Sequence, residues 1–247
     1  KQPEAEAQAA KALEIFESLV ALHPNDANIR SGLWTTYWLT SSIYEEQDDA
    51  LSHEYALKTL KIIQETVDRD PANLRAKQQL SKSLSHVGQT LMNTGKPAEA
   101  VVYVEKAQQV LLGITESRSK NNSLKLEFIT NLMRLGEAKI KQGLFAEALD
   151  HLEQAAKIQQ GILEDFPDDV RTLRNLAMTY ESIADTHAEI AEKENSEKSR
   201  PHREAARANY QKALDILLGL ERKNLLAGFD RKFLERVKTA LQKLGAQ

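Results

Sequence analysis

Four turn-like tetrapeptides recur along this chain at a nearly fixed spacing. They are HPND from His23, DPAN from Asp70, SKNN from Ser119 and FPDD from Phe166, at intervals of 47, 49 and 47 residues. A constant period of this length marks a repeat architecture, in which each unit buries its apolar face only against its neighbours. Each tetrapeptide ends in Asp or Asn just before a helical apolar pattern. There the side-chain oxygen can accept from the N–H groups that a helix start leaves unpaired. Shorter breaks fall halfway between, at Gln47-Asp48, Gly95-Lys96-Pro97 and Gly143. Each repeat therefore reads as a helix pair, with spans 26–69, 73–117, 122–165 and 169–222. A single helix, 3–22, precedes them, and a capping helix, 230–244, follows with Phe233, Leu234, Val237, Leu241 and Leu244 on one face.

Small residues keep register with the turns. Gly88, Gly95, Ala100 and Ala107 align with Gly136, Gly143, Ala148 and Ala155, and Ala184, Ala206, Tyr210 and Ala213 take the matching places in the fourth unit. Glycine inside a helix costs roughly 1 kcal/mol against alanine. Gly88 and Gly136 are therefore expected where two helices come too close for a side chain. Gly95 and Gly143 are expected to end helices in a left-handed conformation. Residues 5–30 overlay residues 146–171 without gaps, so the chain reads as starting at the second helix of a repeat, as a piece of something longer. From the Gly88 place to the first small residue is 12 residues in the second and third units but 22 in the fourth. The extra residues fall in the charged stretch 192–204, expected to be an exposed loop. Pro201 is expected near the start of the next helix.

Composition narrows the function. The 247 residues are 41% hydrophobic with only 10 Gly and 6 Pro, as in an all-helical protein with a sizeable core. A net charge of −3 gives no electrostatic reason to expect nucleic acid or an anionic membrane. No apolar run approaches the ~20 residues of a spanning helix. The absence of cysteine excludes disulfides and thiolate metal sites.

The runs Val87-Gly88, Leu91, Gly95, Ala100, Val104, Ala107 and Leu135-Gly136, Gly143, Ala148, Leu152, Ala155 resemble the tetratricopeptide repeat (TPR). The family repeat has 34 residues, and here the second helix is longer by several turns. Lys139 stands where the family prefers an aromatic, and the first full unit is degenerate, with Thr40, Ser52 and Thr59 in the small-residue places. The resemblance implies an all-α, TPR-like right-handed superhelix of antiparallel helix pairs with a C-terminal capping helix. The long period and the ending LLAGFD are similar to TPR regions of bacterial serine/threonine protein kinases, and the array is also similar to kinesin-light-chain-like repeats. The implied function is a protein- or peptide-binding scaffold module of a larger protein, bacterial and cytoplasmic. The alternative is a ligand- or peptide-sensing domain that regulates an attached catalytic unit.

In the family the first helices of successive units line a concave face. The matching positions in the first full unit are Trp34, Tyr37, Ser41 and Tyr44, whose three aromatics either form a ligand platform or bury against the preceding helix. The stripe continues through Lys82, Ser85, Gln89 and Met92, then Thr130, Met133, Glu137 and Ile140, and ends acidic at Glu181 and Asp185. Trp34, Tyr37, Tyr44, Lys82, Gln89, Met92, Met133 and Glu137 are the expected partner-binding residues. The Lys/Asn clamp of chaperone-binding relatives is not reproduced. The six histidines show no metal-ligand spacing, and GQTLMNTGKP (88–97) fails as a phosphate loop on its glycine spacing and on Pro97. No catalytic residue, cofactor or metal is expected.

Overall fold

The computed structural model describes residues 2–45, 47–115, 122–194 and 196–245. The tetrapeptide SKNN lies outside them except for Asn122, where a helix begins. Among the described residues every regular element is a helix. These are α1 (Gln2–Leu22), α2 (Ala27–Tyr44), α3 (Asp49–Arg69), α4 (Leu74–Asn93), α5 (Pro97–Thr115), α6 (Asn122–Lys141), α7 (Phe145–Asp165), α8 (Val170–Lys193), α9 (Ser196–Arg222) and α10 (Gly228–Gly245). The chain divides into two compact units, Lys1–Arg134 and Leu135–Gln247.

Local chemistry sets the helix ends. The Asp26 side chain accepts from the N–H groups of Asn28 and Ile29 at 2.8 and 3.0 Å, and Asn73 accepts from Ala76 N at 3.0 Å. Asp169 does the same for Thr172 N at 3.3 Å. Each cap satisfies donors that have no partner inside the helix. At the other ends, Gly95 and Gly143 hold φ of 76° and 74°. Lys96 N donates to Leu91 O and Leu144 N to Lys139 O, at 2.8 and 2.9 Å, which is the six-residue closure that a left-handed terminal residue permits. Asn224, at φ 56°, ends α9 in the same way, with Leu225 N donating to Leu220 O at 2.9 Å.

In the first unit α1 packs on α2, α2 on α3, α3 on α4 and α4 on α5. One apolar cluster joins Leu13, Leu33 and Ile62, a second joins Ile63, Leu80, Leu84 and Ala107, and Trp34 packs against both. A Cβ on Gly88 would stand 2.5 Å from Val104 Cγ2, so α4 and α5 touch where the side chain is missing. Gly32 does the same for α1, since a Cβ there would lie 2.1 Å from the Phe16 ring. In the second unit α7 packs on α8, α8 on α9 and α9 on α10 around Leu152, Leu176, Tyr180, Ile183, Tyr210, Leu217, Phe233 and Leu234.

The stretch 192–204 is not the expected loop. Apart from Glu194 and Asn195, the latter outside the described residues, it is helical: α8 runs to Lys193, α9 starts at Ser196, and Pro201 lies inside α9. The extra residues lengthen both helices of the fourth pair. Polar residues sustain these turns because several have partners. Lys193 pairs with Glu189 at 2.8 Å and lies 4.4 Å from the Phe145 ring centre, Arg200 pairs with Glu204 at 2.9 Å, and Ser199 is fully buried. His187 Nδ1 and His202 Nδ1 meet across the two helices at 2.9 Å.

Candidate functional site

The first helices α2, α4 and α6 frame a cleft of about 470 Å³ within the first unit. Trp34 and Trp38 form one wall, Lys82 stands on α4, and Glu127, Asn131 and Arg134 line it from α6. The two indoles are one helical turn apart, with centroids 5.5 Å apart and planes tilted by 38°. Trp34 is fixed by a 2.8 Å hydrogen bond from Nε1 to Ser83 Oγ. Trp38 is fixed by stacking on the His86 ring, 4.3 Å away, and His86 Nε2 in turn meets Ser41 Oγ at 2.7 Å.

The polar side of the cleft is partly paired. Lys82 Nζ lies 3.2 Å from Glu127 Oε1, which also accepts from the Gln78 side-chain amide. Burial pushes the Glu127 carboxyl above the usual carboxylate range, against the pull of Gln78 and Lys82. Arg134 donates to Ser85 Oγ, and through Nε to Gln89 Oε1 at 3.2 Å. Two donor and acceptor sites are left over. Asn131, only 2% exposed, has an amide nitrogen without a hydrogen-bond partner, and so has Glu127 Oε2. A buried polar atom in that state costs roughly 1–3 kcal/mol.

The expected platform is split. Trp34 reaches the cleft, but Tyr37 and Tyr44 turn toward Tyr55 of α3, with ring centroids 6.2 Å away in each case. The Tyr37 hydroxyl donates to Glu17 at 2.8 Å, and burial and that carboxylate raise its pKa. Side chains three and four positions on from Trp34 lean to opposite sides of the same helix stripe. Trp38, at the fourth, joins the cleft, and Tyr37, at the third, joins the core. Lys82 lines the cleft and Gln89 holds Arg134 at its edge. Met92 is buried at 3% exposure and belongs to the core. Met133 is half-buried, and Glu137, in the second unit, is exposed beside Lys141 at 3.9 Å. The expected acidic end is closed. Glu181 is held by both Nε and Nη2 of Arg236 at 2.6 Å, and Asp185 accepts from the Tyr210 hydroxyl.

Trp38, Glu127, Asn131 and Arg134 escaped the sequence reading. On α6 the expected Thr130 does line the cleft, together with 127, 131 and 134, a helical stripe beside the one counted from the family pattern. The detectable signal was Trp38 itself, four residues after Trp34 and the second of only two tryptophans.

His86 gives this region a pH signature. Burial, reinforced by the Arg134 charge, lowers its pKa from 6.5 to about 4. The unfolded chain thus takes up a proton as pH falls through 6.5 while the folded chain does not. The stabilisation is complete above pH 6.5, declines below it and is lost once pH falls through about 4. His86→Gln should therefore flatten the pH dependence of stability. The wild type should lose roughly 2 kcal/mol more than the variant between pH 7.5 and pH 5. Parallel slopes in urea titrations at these pH values would show that the imidazole is not held neutral.

Helix pairs of this length, with small residues at their contacts, make an all-α helical repeat fold that is tetratricopeptide-like. Residues 127–192 match the tetratricopeptide repeat family model. No curated protein matches the chain. Among solved structures, the crystal structure of BtubC (BKLC) from P. vanneervenii is similar over 100% of this chain and 87% of that one, with a TM-score of 0.63 and 16% identity. At that identity the likeness is one of fold. Repeats of this type generally serve as non-catalytic scaffolds for protein interaction. No described helix is long and apolar enough to cross a membrane.

Proposed function

We propose that this chain is a protein- or peptide-binding scaffold module of a larger protein, and that the cleft framed by α2, α4 and α6 receives the partner. The observation that carries this reading is the location of both tryptophans and of an unpartnered buried amide in one cleft of three successive first helices. Aromatic side chains in partly enclosed sites are the usual energetic anchors of interfaces. The module is non-catalytic and binds neither nucleic acid nor membrane. Its resemblance to the repeat regions of bacterial serine/threonine kinases supports a place beside a kinase domain in the bacterial cytoplasm. The second reading, a sensor of a small ligand or short peptide, is favoured by the cleft volume of about 470 Å³, within the range of small-molecule sites.

Selection from a displayed random-peptide library, followed by titration of the selected peptides, tests the proposal. Trp38→Ala should weaken binding by about 2 kcal/mol or more with little change in melting temperature. Trp34→Ala should lose both affinity and stability, because Trp34 also packs against two core clusters. Selected peptides that bind Trp38→Ala as tightly as the wild type would place the interaction elsewhere.

A further inference from the structure

A groove of about 910 Å³ runs between the second helices α3 and α5, over α4. Leu80 and Leu84 of α4 are its floor, and Leu57 and Val110 stand on its two walls. The second unit builds the same place with one change. Tyr180 stands four residues before Ala184, as Leu84 does before Gly88. Gln160 follows Ala155 by five residues, as Gln64 follows Thr59, and Lys212 directly precedes Ala213, as Lys106 precedes Ala107. In the second unit these three residues close on one another. Gln160 Nε2 donates to the Tyr180 hydroxyl at 2.6 Å, and Lys212 Nζ lies 5.0 Å from the centre of the Tyr180 ring. The phenol thus joins α7 to α9 across α8. In the first unit Gln64 and Lys106 line the groove, but Leu84 offers them neither a ring nor a hydroxyl. Gln64 donates instead to Asp68 of its own helix at 2.8 Å, and Lys106 rests 5.7 Å from the ring centre of Tyr103, also on its own helix.

We propose that this groove is a second binding surface, separate from the tryptophan cleft, and that it takes an amphipathic helix whose tyrosine sits between Gln64 and Lys106 as Tyr180 sits between Gln160 and Lys212. The partner supplies from outside the ring that the second unit supplies from its own floor. The occupant is helical because the groove is made of helices, whose interior N–H and C=O groups are already paired, so its backbone must satisfy itself. The length agrees. Leu57 to Glu65 along α3 spans about 12 Å, and side chains seven apart on a docked helix span about 10.5 Å. Charge agrees as well. Lys61 and Lys106 stand on opposite walls, while the lining carboxylate Glu65 is held by Arg30 at 2.9 Å. Lys106 is then drawn to the face of the ring, and a carboxylate one turn from the tyrosine meets Lys61.

The test uses an acetylated and amidated alanine-based helix of about 16 residues, long enough to hold its structure. It carries a central tyrosine between two leucines on one face, a glutamate one turn from the tyrosine, and lysines on the far face. Library peptides too short to hold a helix report on the cleft and not on this groove. Titrated into the isotope-labelled full chain, the tyrosine helix should shift amide signals of α3 and α5 around Lys61, Gln64 and Lys106. Its affinity should be the same in Trp38→Ala. A phenylalanine version should bind at least threefold more weakly, and an alanine version at least tenfold. Gln64→Ala, at an exposed position, should erase the difference between the tyrosine and phenylalanine helices, because that difference is the bond to Gln64. Leu84→Tyr should fill the groove from within. Its melting temperature should hold or rise while affinity for the tyrosine helix falls at least tenfold. A phenylalanine helix that binds the wild type as tightly as the tyrosine helix overturns the phenol contact. A tyrosine helix that leaves α3 and α5 unshifted, or that shifts only α2 and α6, overturns the groove and leaves the reading of the cleft untouched.

Discussion

Gly136→Leu should destabilise the second unit by about 3 kcal/mol, at the upper end of what overpacking costs. A Cβ on Gly136 would already lie 2.8 Å from Leu152 Cγ and 2.9 Å from its Cδ2, with the Ala148 carbonyl oxygen at 3.4 Å. Leu152 is 1% exposed and Ala148 fully buried, so neither has room to withdraw. The three further carbons of leucine can enter only if α6 and α7 separate. Gly143→Leu is the control for mechanism. Nothing lies within 4 Å of a Cβ there, but φ is 74°, so the cost is backbone strain of roughly 1–2 kcal/mol with no loss of packing. Adding Leu152→Ala should rescue part of the Gly136→Leu loss and none of the Gly143→Leu loss. Urea titrations of the four variants read this directly, and an undisturbed Gly136→Leu would refute the close approach.

Asp230→Ala should cost roughly 3–5 kcal/mol, as the loss of one partner of a buried ion pair does. Asp230 is fully buried in the first turn of α10. One of its oxygens, Oδ2, accepts from Ala227 N at 2.7 Å and stands 2.8 Å from Arg174 Nε of α8. The side chain thus closes the start of α10 and ties it to α8. Without it, Arg174 keeps its 2.7 Å hydrogen bond to Leu225 O and its place over the Phe229 ring, and an N–H at the helix start goes unpaired. Helix α10 is then held by the apolar contacts of Phe233, Leu234 and Val237 and by the Arg236–Glu181 pair to α8. Thermal unfolding should show a lower midpoint, and amide exchange should speed up first in α10. A variant that melts like the wild type would mean that the apolar face and the Arg236–Glu181 pair suffice to dock this helix.

What the sequence revealed and what it hid divide along a physical line. Caps and turns are decided within a few residues, so Asp26, Asn73 and Asp169 at helix starts and Gly95 and Gly143 at helix ends could be read directly. Gly136 was legible because its aligned partner Gly88 pointed to a shared contact. The cleft was not, because its members are chosen by how α2, α4 and α6 are rotated about their axes, which the helical period alone does not fix. The pattern positions Lys82, Ser85 and Thr130 do line it, but Met92 and Met133 do not, and α6 turns Asn131 and Arg134 inward beside Thr130. Tyr37 and Tyr44 were misplaced because their partner, Tyr55, comes from another helix. The 192–204 stretch lacked apolar residues and read as a loop. Its helices draw on i,i+4 ion pairs, a lysine over Phe145 and a His–His contact that links α8 to α9, none of which leaves a hydrophobic periodicity.

The central claim is that partners are received on the first helices of the first unit. Its most direct test is a map of amide chemical shifts on adding a library-selected peptide to the isotope-labelled chain. Perturbations are expected to cluster on α2, α4 and the start of α6, around Trp34, Trp38, Lys82, Asn131 and Arg134. A map confined to the second helices α3 and α5, with the Trp38 indole signal unmoved at saturation, would contradict it.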